Sequence, residues 1–286
     1  MRKAVIQALF MLVALVSTST YGADRYWVGA SGAAWNTTDS WSTSSGGSNG
    51  ASIPGTSDTA IFDSGDTDNC TLTAAVSVTA INMKSGYTGT VDAAGNNITT
   101  SSTVDVTGGT LEIDSSSILA VTGVLTVDGG TLTSTDGTID ADSNVIMTAG
   151  TLTAPDGARF TVAGHWSTWA GGTFTHSSGT VTFDGTSTIT TGGIGDGQDF
   201  YNVVLNGTSA TQATNAIDID NNFTITSGTW DTASFDMTVG GTSDTSGGTF
   251  ITYSSPADST DLTAPTLSSS SPSDGATGVD INAILS

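Results

Sequence analysis

Apolar residues in this chain come mostly one at a time, with Thr, Ser or Asp between them. Val104-Asp105-Val106 and Val181-Thr182-Phe183 are typical. Alternation with a period of two is the mark of a half-buried strand. The alternating stretches are short and end at Asp-Gly, Gly-Gly and Asn-Asn pairs, which read as turns. A Gly-Thr pair followed by an apolar residue recurs through the chain. It occurs at Gly89-Thr90-Val91, Gly109-Thr110-Leu111, Gly130-Thr131-Leu132, Gly150-Thr151-Leu152 and Gly172-Thr173-Phe174, at spacings of 20, 21, 20 and 22 residues. It returns at Gly228-Thr229-Trp230 and Gly248-Thr249-Phe250, again 20 apart.

Each unit holds three apolar clusters. The first is Val91, Leu111, Leu132, Leu152 and Phe174, directly after the Gly-Thr pair. The second is Ile98, Ile118, Ile139, Phe160 and Val181. The third contains Val104 and Val106, Leu125 and Val127, Val145 and Met147, Trp166, and Ile189. Three short strands per roughly 20 residues describe one coil of an all-β, right-handed parallel β-helix (a β-solenoid). Stacking then buries what one coil cannot bury alone. The alternative is an antiparallel β-sandwich, which short strands every 8–12 residues or so also suit. The steady period favours the solenoid over residues 63–255. The period breaks between about Gly185 and Asn222, where a longer excursion or a change of cross-section is expected.

The segments flanking the repeat differ from it. Arg2 and Lys3, the uncharged apolar run Ala4 to Val16, and small residues up to Ala23 read as a signal peptide over 1–23, cleaved after Gly22 or Ala23. Export to an extracellular or cell-surface location follows, with no membrane span after its removal. Residues 24–62 carry Trp27, Trp35 and Trp41 and are expected to cap the solenoid, whose open end exposes strand edges and core. The same three tryptophans are the candidates for carbohydrate contact, since open aromatic rings stack on sugars.

Composition narrows the partners. Glu112 is the sole glutamate among 27 acids, and Lys and Arg together number 5, giving a net charge of −22. Asp suits turns and is a poor helix former. Beyond the signal segment only Arg25, Lys84 and Arg159 are fixed cations, so the surface repels polyphosphate and no nucleic-acid partner is expected. Cys70 has no partner for an intrachain disulfide and reads as a small buried hydrophobe.

Tyr26-Trp27-Val28-Gly29, Trp35-Asn36, Trp41-Ser42 and Asp58 to Asp63 resemble the N-terminal start of bacterial repeat-rich surface proteins. Phe200 to Asn206, Phe223 to Trp230 and Met237 to Gly241 are similar to their recurring units. The resemblance implies a secreted adhesin-like or stalk-like role and brings no catalytic residues. Its implied partners are cell-surface or environmental glycans, or other surface proteins. In 256–286, Asp261 to Thr266 and Ser271 to Val279 resemble the opening of a bacterial Ig-like domain of the S-layer type. So short a stretch cannot bury a sandwich core, so this segment is expected to be a linker and an incomplete domain start.

Candidate chemistry is sparse. Asp196 and Asp199, in the Gly-rich break that contains the loop Gly192 to Gly197, are the best-placed carboxylate pair for a polysaccharide hydrolase. A lyase would have only Lys84, Arg159, His165 and His176 to neutralise a uronate. His165 and His176 flank Trp166 and Trp169, with Asp156 and Asp184 as further metal ligands by position alone. Asp63 to Asn69 and Asp218 to Asn222 are oxygen-rich, but neither is an EF-hand loop, and they are read as solvated turns. Neither a catalytic residue nor a cofactor or metal is assigned, and the sequence reading is a non-catalytic structural or adhesive segment. A carbohydrate-binding or polysaccharide-active module on the same scaffold is the alternative.

Overall fold

In the computed structural model, residues 22–168, 171–193 and 198–252 are described. They belong to one compact unit that ends at Thr252. The signal segment up to residue 21 and the Ig-like start lie outside the described residues. The unit is a right-handed parallel β-solenoid of about nine coils.

Each coil lays one short strand on each of three faces. On the first face Thr90–Asp92, Thr110–Ile113 and Thr173–Thr175 stack in register with the ends of Leu125–Ser134 and Val145–Thr153. The second face runs without interruption from Val76–Val78 through Ile98–Thr100, Ile118–Val121, Thr138–Ala141, Arg159–Val162 and Thr180–Phe183. It continues through the starts of Asn202–Gln212 and Phe223–Asp231 to Ser243–Asp244. Nine strands at the usual spacing of about 4.8 Å make a ladder roughly 40 Å long. The third face begins at Thr59–Phe62 and ends at Thr249–Ile251.

The interior is made of columns. Val91, Leu111, Leu132 and Leu152 pair in register and are fully buried, with Phe174 continuing them at 1% exposure. Val104, Leu125 and Val145 form an equivalent column on the third face, continued by Trp166. One assignment from the sequence is corrected. Ile118 is exposed at 39%, and Leu119 is the buried residue that pairs with Ile98 and Ile139. In a strand a shift of one residue exchanges inside for outside, and Val121, two residues on, follows Leu119 inward.

The first end is closed by the aromatic segment. Asp24–Trp27 pairs antiparallel with Trp41–Ser42 and parallel with Thr59–Phe62. A single 3₁₀ turn, Thr38–Ser40, connects into Trp41. Trp27, Trp35 and Trp41 pack around Phe62 with centroids 5.6–5.8 Å from its ring, and Trp35 meets Trp41 edge to face at 4.9 Å. Trp41 Nε1–H donates to the Trp35 carbonyl (2.7 Å) and Trp27 Nε1–H to the Asp68 carbonyl (3.0 Å). Thr59–Phe62, counted in the cap from sequence, is already a strand of the third face, since it pairs parallel with Ala80–Met83.

The break in period is a change of corner. Up to Gly172 the tight corner lies between the third and first faces, and Leu125–Ser134 and Val145–Thr153 run across it as continuous strands. Glycine is required there. Gly150 has φ +79°, and a Cβ on it would stand 2.2 Å from the Gly130 carbonyl oxygen one coil away. After the break, Asn202–Gln212 and Phe223–Asp231 are the continuous strands, and they cross from the second face to the third. The tight corner has moved one face back, to the stack Gly185, Gly207 and Gly228. Trp230 therefore pairs with Ala210, and Ala210 with Ser187 on the third face, rather than extending the Leu132 column.

Candidate functional site

The shifted corner brings acids together. Phe200 bridges to Ile219 in parallel, so Asp199 and Tyr201 on one coil adjoin Asp218 and Asp220 on the next. Ile217–Ile219 in turn pairs with Met237–Val239. Alternation sends Phe200 and Ile219 into the core and leaves Tyr201, Asp218 and Asp220 at least partly exposed. Carboxylate oxygens of Asp199, Asp218 and Asp220 lie within 4.8 Å of one another, the one such grouping of potential metal ligands among the described residues. Asp199 is buried at 8% exposure and Asp220 is exposed.

Two neighbours fix parts of this group. The Thr238 hydroxyl donates to Asp218 Oδ1. His176 Nε2 lies 3.1 Å from Asp220 Oδ2, and its ring stacks on Tyr201 with centroids 5.5 Å apart. His176 Nδ1 accepts the Ser178 backbone N–H at 3.1 Å. That bond places the imidazole proton on Nε2, facing Asp220. The nitrogen facing the acids is therefore a donor and not a free metal ligand.

Three carboxylates offer at most six oxygens, so calcium, which takes about six to eight, would draw on bidentate binding and on carbonyls or water as well. Glycoside hydrolysis needs two carboxyls at a set separation. The two carboxyls of such a site flank the scissile bond at about 5–5.5 or 6.5–9.5 Å. Here the ligand oxygens of all three acids lie within 4.8 Å of one another, with Asp218 in the strand Ile217–Ile219 and Asp220 just past its end. What the group does in the fold is concentrate negative charge on the first face where the corner has shifted.

The residues singled out from sequence are placed as follows. Trp27, Trp35 and Trp41 are 1%, 0% and 0% exposed, which corrects their candidacy for carbohydrate contact, because rings packed against Phe62 and each other offer no open face to a sugar. Asp196 and Trp169 lie outside the described residues. Asp199 gathers with Asp218 and Asp220, and neither Asp156 nor Asp184 belongs to that group. His165 is separate from it too. Its Nδ1 accepts the Thr188 N–H (2.9 Å). Asp184 has its carboxyl pushed above the usual range by burial and by Asp140. In the turn from Asp63, Asp63 Oδ1 accepts from Gly65 N–H (2.8 Å) and Ser45 Oγ–H (3.0 Å), so its oxygens hold the turn itself. Burial raises the Asp66 carboxyl more than its bond from Asp68 N–H lowers it. Cys70 is fully buried, and burial pushes its thiol well above the ordinary value.

Among the described residues no helix is long and apolar enough to cross a membrane. Comparison with protein-family models, curated proteins and solved structures returns no match to this chain.

Proposed function

We propose that the chain is a non-catalytic structural or adhesive segment of an exported bacterial surface protein, a stiff spacer that holds other parts away from the surface. The observation that carries this reading is the unbroken second-face ladder from Val76 to Asp244. Each coil is hydrogen-bonded along its strands to the next, over columns of fully buried side chains. Such an element resists bending and needs no disulfide, which suits a chain with one cysteine. The excess of Asp keeps the outer surface hydrated and self-repelling.

The test has two arms. Expression in a Gram-negative host followed by N-terminal sequencing of the exported product should find cleavage after Gly22 or Ala23; retention in the cytoplasm with the N-terminus intact refutes export. Incubation with pectins, alginates and xylans should release neither reducing ends nor unsaturated uronates. Turnover lost on Asp199→Asn would make the chain an enzyme and overturn the reading.

A further inference from the structure

The inner side of the third face changes character at Trp166. Below it the inward residues are wholly apolar: Ile81, Met83, Val104, Val106, Leu125, Val127, Val145 and Met147. Above it Ile189, Ala210 and Trp230 alternate with Thr168, Ser187, Thr191, Gln212 and Thr232, these five each only 0–3% exposed. Part of this polar lining is satisfied within the protein. Thr191 Oγ–H donates to the Ala216 carbonyl (3.1 Å), Gln212 Nε2–H to the Asp236 carbonyl (3.1 Å), and Asn215 Nδ2–H to the Thr191 carbonyl (2.6 Å).

Five atoms on this lining find no protein partner: Trp166 Nε1, Thr168 Oγ1, Ser187 Oγ, Gln212 Oε1 and Trp230 Nε1. Only Trp35 Nε1 and Gln198 Oε1 share that condition elsewhere among the described residues. The five belong to neighbouring strands. Trp166 pairs with Ile189 and Ile189 with Gln212, while Ser187 pairs with Ala210 and Ala210 with Trp230. Thr168 N–H donates to the Thr190 carbonyl, which joins the remaining member to the same coils. The set is chemically mixed. It has two indole N–H donors, one amide oxygen that only accepts, and two hydroxyls that do both. Donors and acceptors buried along successive strands of one face without protein partners are what ordered internal water bridges, at about three bonds per molecule.

We infer that the third face encloses ordered water between Trp166 and Trp230, bonded to these five groups as a built part of the solenoid interior. The site takes water or nothing, and isosteric substitution separates the two by sign. Thr168→Val and Ser187→Ala each delete a hydroxyl while nearly keeping its shape. If water is bound, each variant breaks a bond and leaves the water under-coordinated, and the melting temperature falls by about 2–4 °C. If the hydroxyls are buried dry, losing them relieves a desolvated group and the melting temperature rises. An unchanged or raised value overturns the inference. Thr126→Val, on the outward side of the same face, is the control and should leave melting unchanged. Oxygen-17 magnetic relaxation dispersion on the full chain should count long-lived internal waters, fewer in the Thr168→Val, Ser187→Ala double variant; finding none in the parent also overturns it.

Discussion

The interior columns make a sharp quantitative prediction at two adjacent residues. Leu132 is fully buried, with Leu111 below and Leu152 above in register. Thr133 points outward between Glu112 and Thr153. Leu132→Asp removes a side chain whose loss to Ala alone costs about 2–5 kcal/mol. It also places a carboxyl in the column with no partner, which adds a few kcal/mol whether the group is charged or protonated. A total near 5 kcal/mol, at about 2–4 °C per kcal/mol for a chain of this size, lowers the melting temperature by roughly 10–20 °C. Thr133→Asp meets only Glu112 across one strand spacing, a solvated like-charge contact costing under about 1 kcal/mol. Its shift should stay within about 4 °C and shrink in added salt. Thermal melts followed by circular dichroism at low and high salt read both variants. Equal shifts, or a larger one for Thr133→Asp, would refute the inward register of the first face.

Gly150→Ala and Gly157→Ala separate crowding from backbone strain. Both glycines have positive φ, +79° and +87°, but a Cβ meets a carbonyl at 2.2 Å only at Gly150 and nothing within 4 Å at Gly157. Gly157→Ala should cost about 1 kcal/mol and Gly150→Ala at least twice that in denaturant melts. Alkaline pH should destabilise the fold. Cys70 and Tyr87 are held above their ordinary values of 9.0 and 10.0, chiefly by burial. An acid whose folded value is raised contributes stability that is fully present below its unfolded value and is lost as pH climbs toward the folded one. Melting temperatures should therefore fall from about pH 9 upward, and Cys70→Ala should flatten the first part of that fall. Sodium and calcium at matched ionic strength should raise the melting temperature alike, by screening the acid excess. A further rise with calcium that disappears in Asp218→Asn would instead assign a bound cation to the Asp199, Asp218 and Asp220 group.

How much of this could be read in advance differs by feature. The coil was legible because a parallel ladder demands the same inward position every turn, so Val91, Leu111, Leu132 and Leu152 had to recur at nearly constant spacing. Ile118 misled because Ile118 and Leu119 are adjacent and both apolar; the alternation from Leu119 to Val121 held the answer. The moved corner also left a trace. Gly172 and Gly228 are 56 residues apart, which falls short of three coils of about 21 residues by several positions. The acid group was half visible, since Asp218 to Asn222 stood out as oxygen-rich. Asp199 joins it only through the pairing of Phe200 with Ile219, which depends on the residue count of one irregular coil. The polar lining stayed hidden because Thr, Ser and Gln inside the solenoid look the same in sequence as those outside it.

The migrating corner has a consequence for how such rods change length. The Thr that follows the corner glycine lies on the first face at Thr131 and Thr151, but on the third face at Thr229, which pairs with Ser209. The same local sequence thus serves at two positions around the axis, about a third of a turn apart. The smallest interchangeable module is then one strand with its corner, about seven residues, and not a whole coil. Insertions or deletions of that size would rotate everything downstream while leaving the ladders intact. Surface features selected on one side of an ancestral rod could in this way be re-aimed in a single step, without any new contact having to be invented.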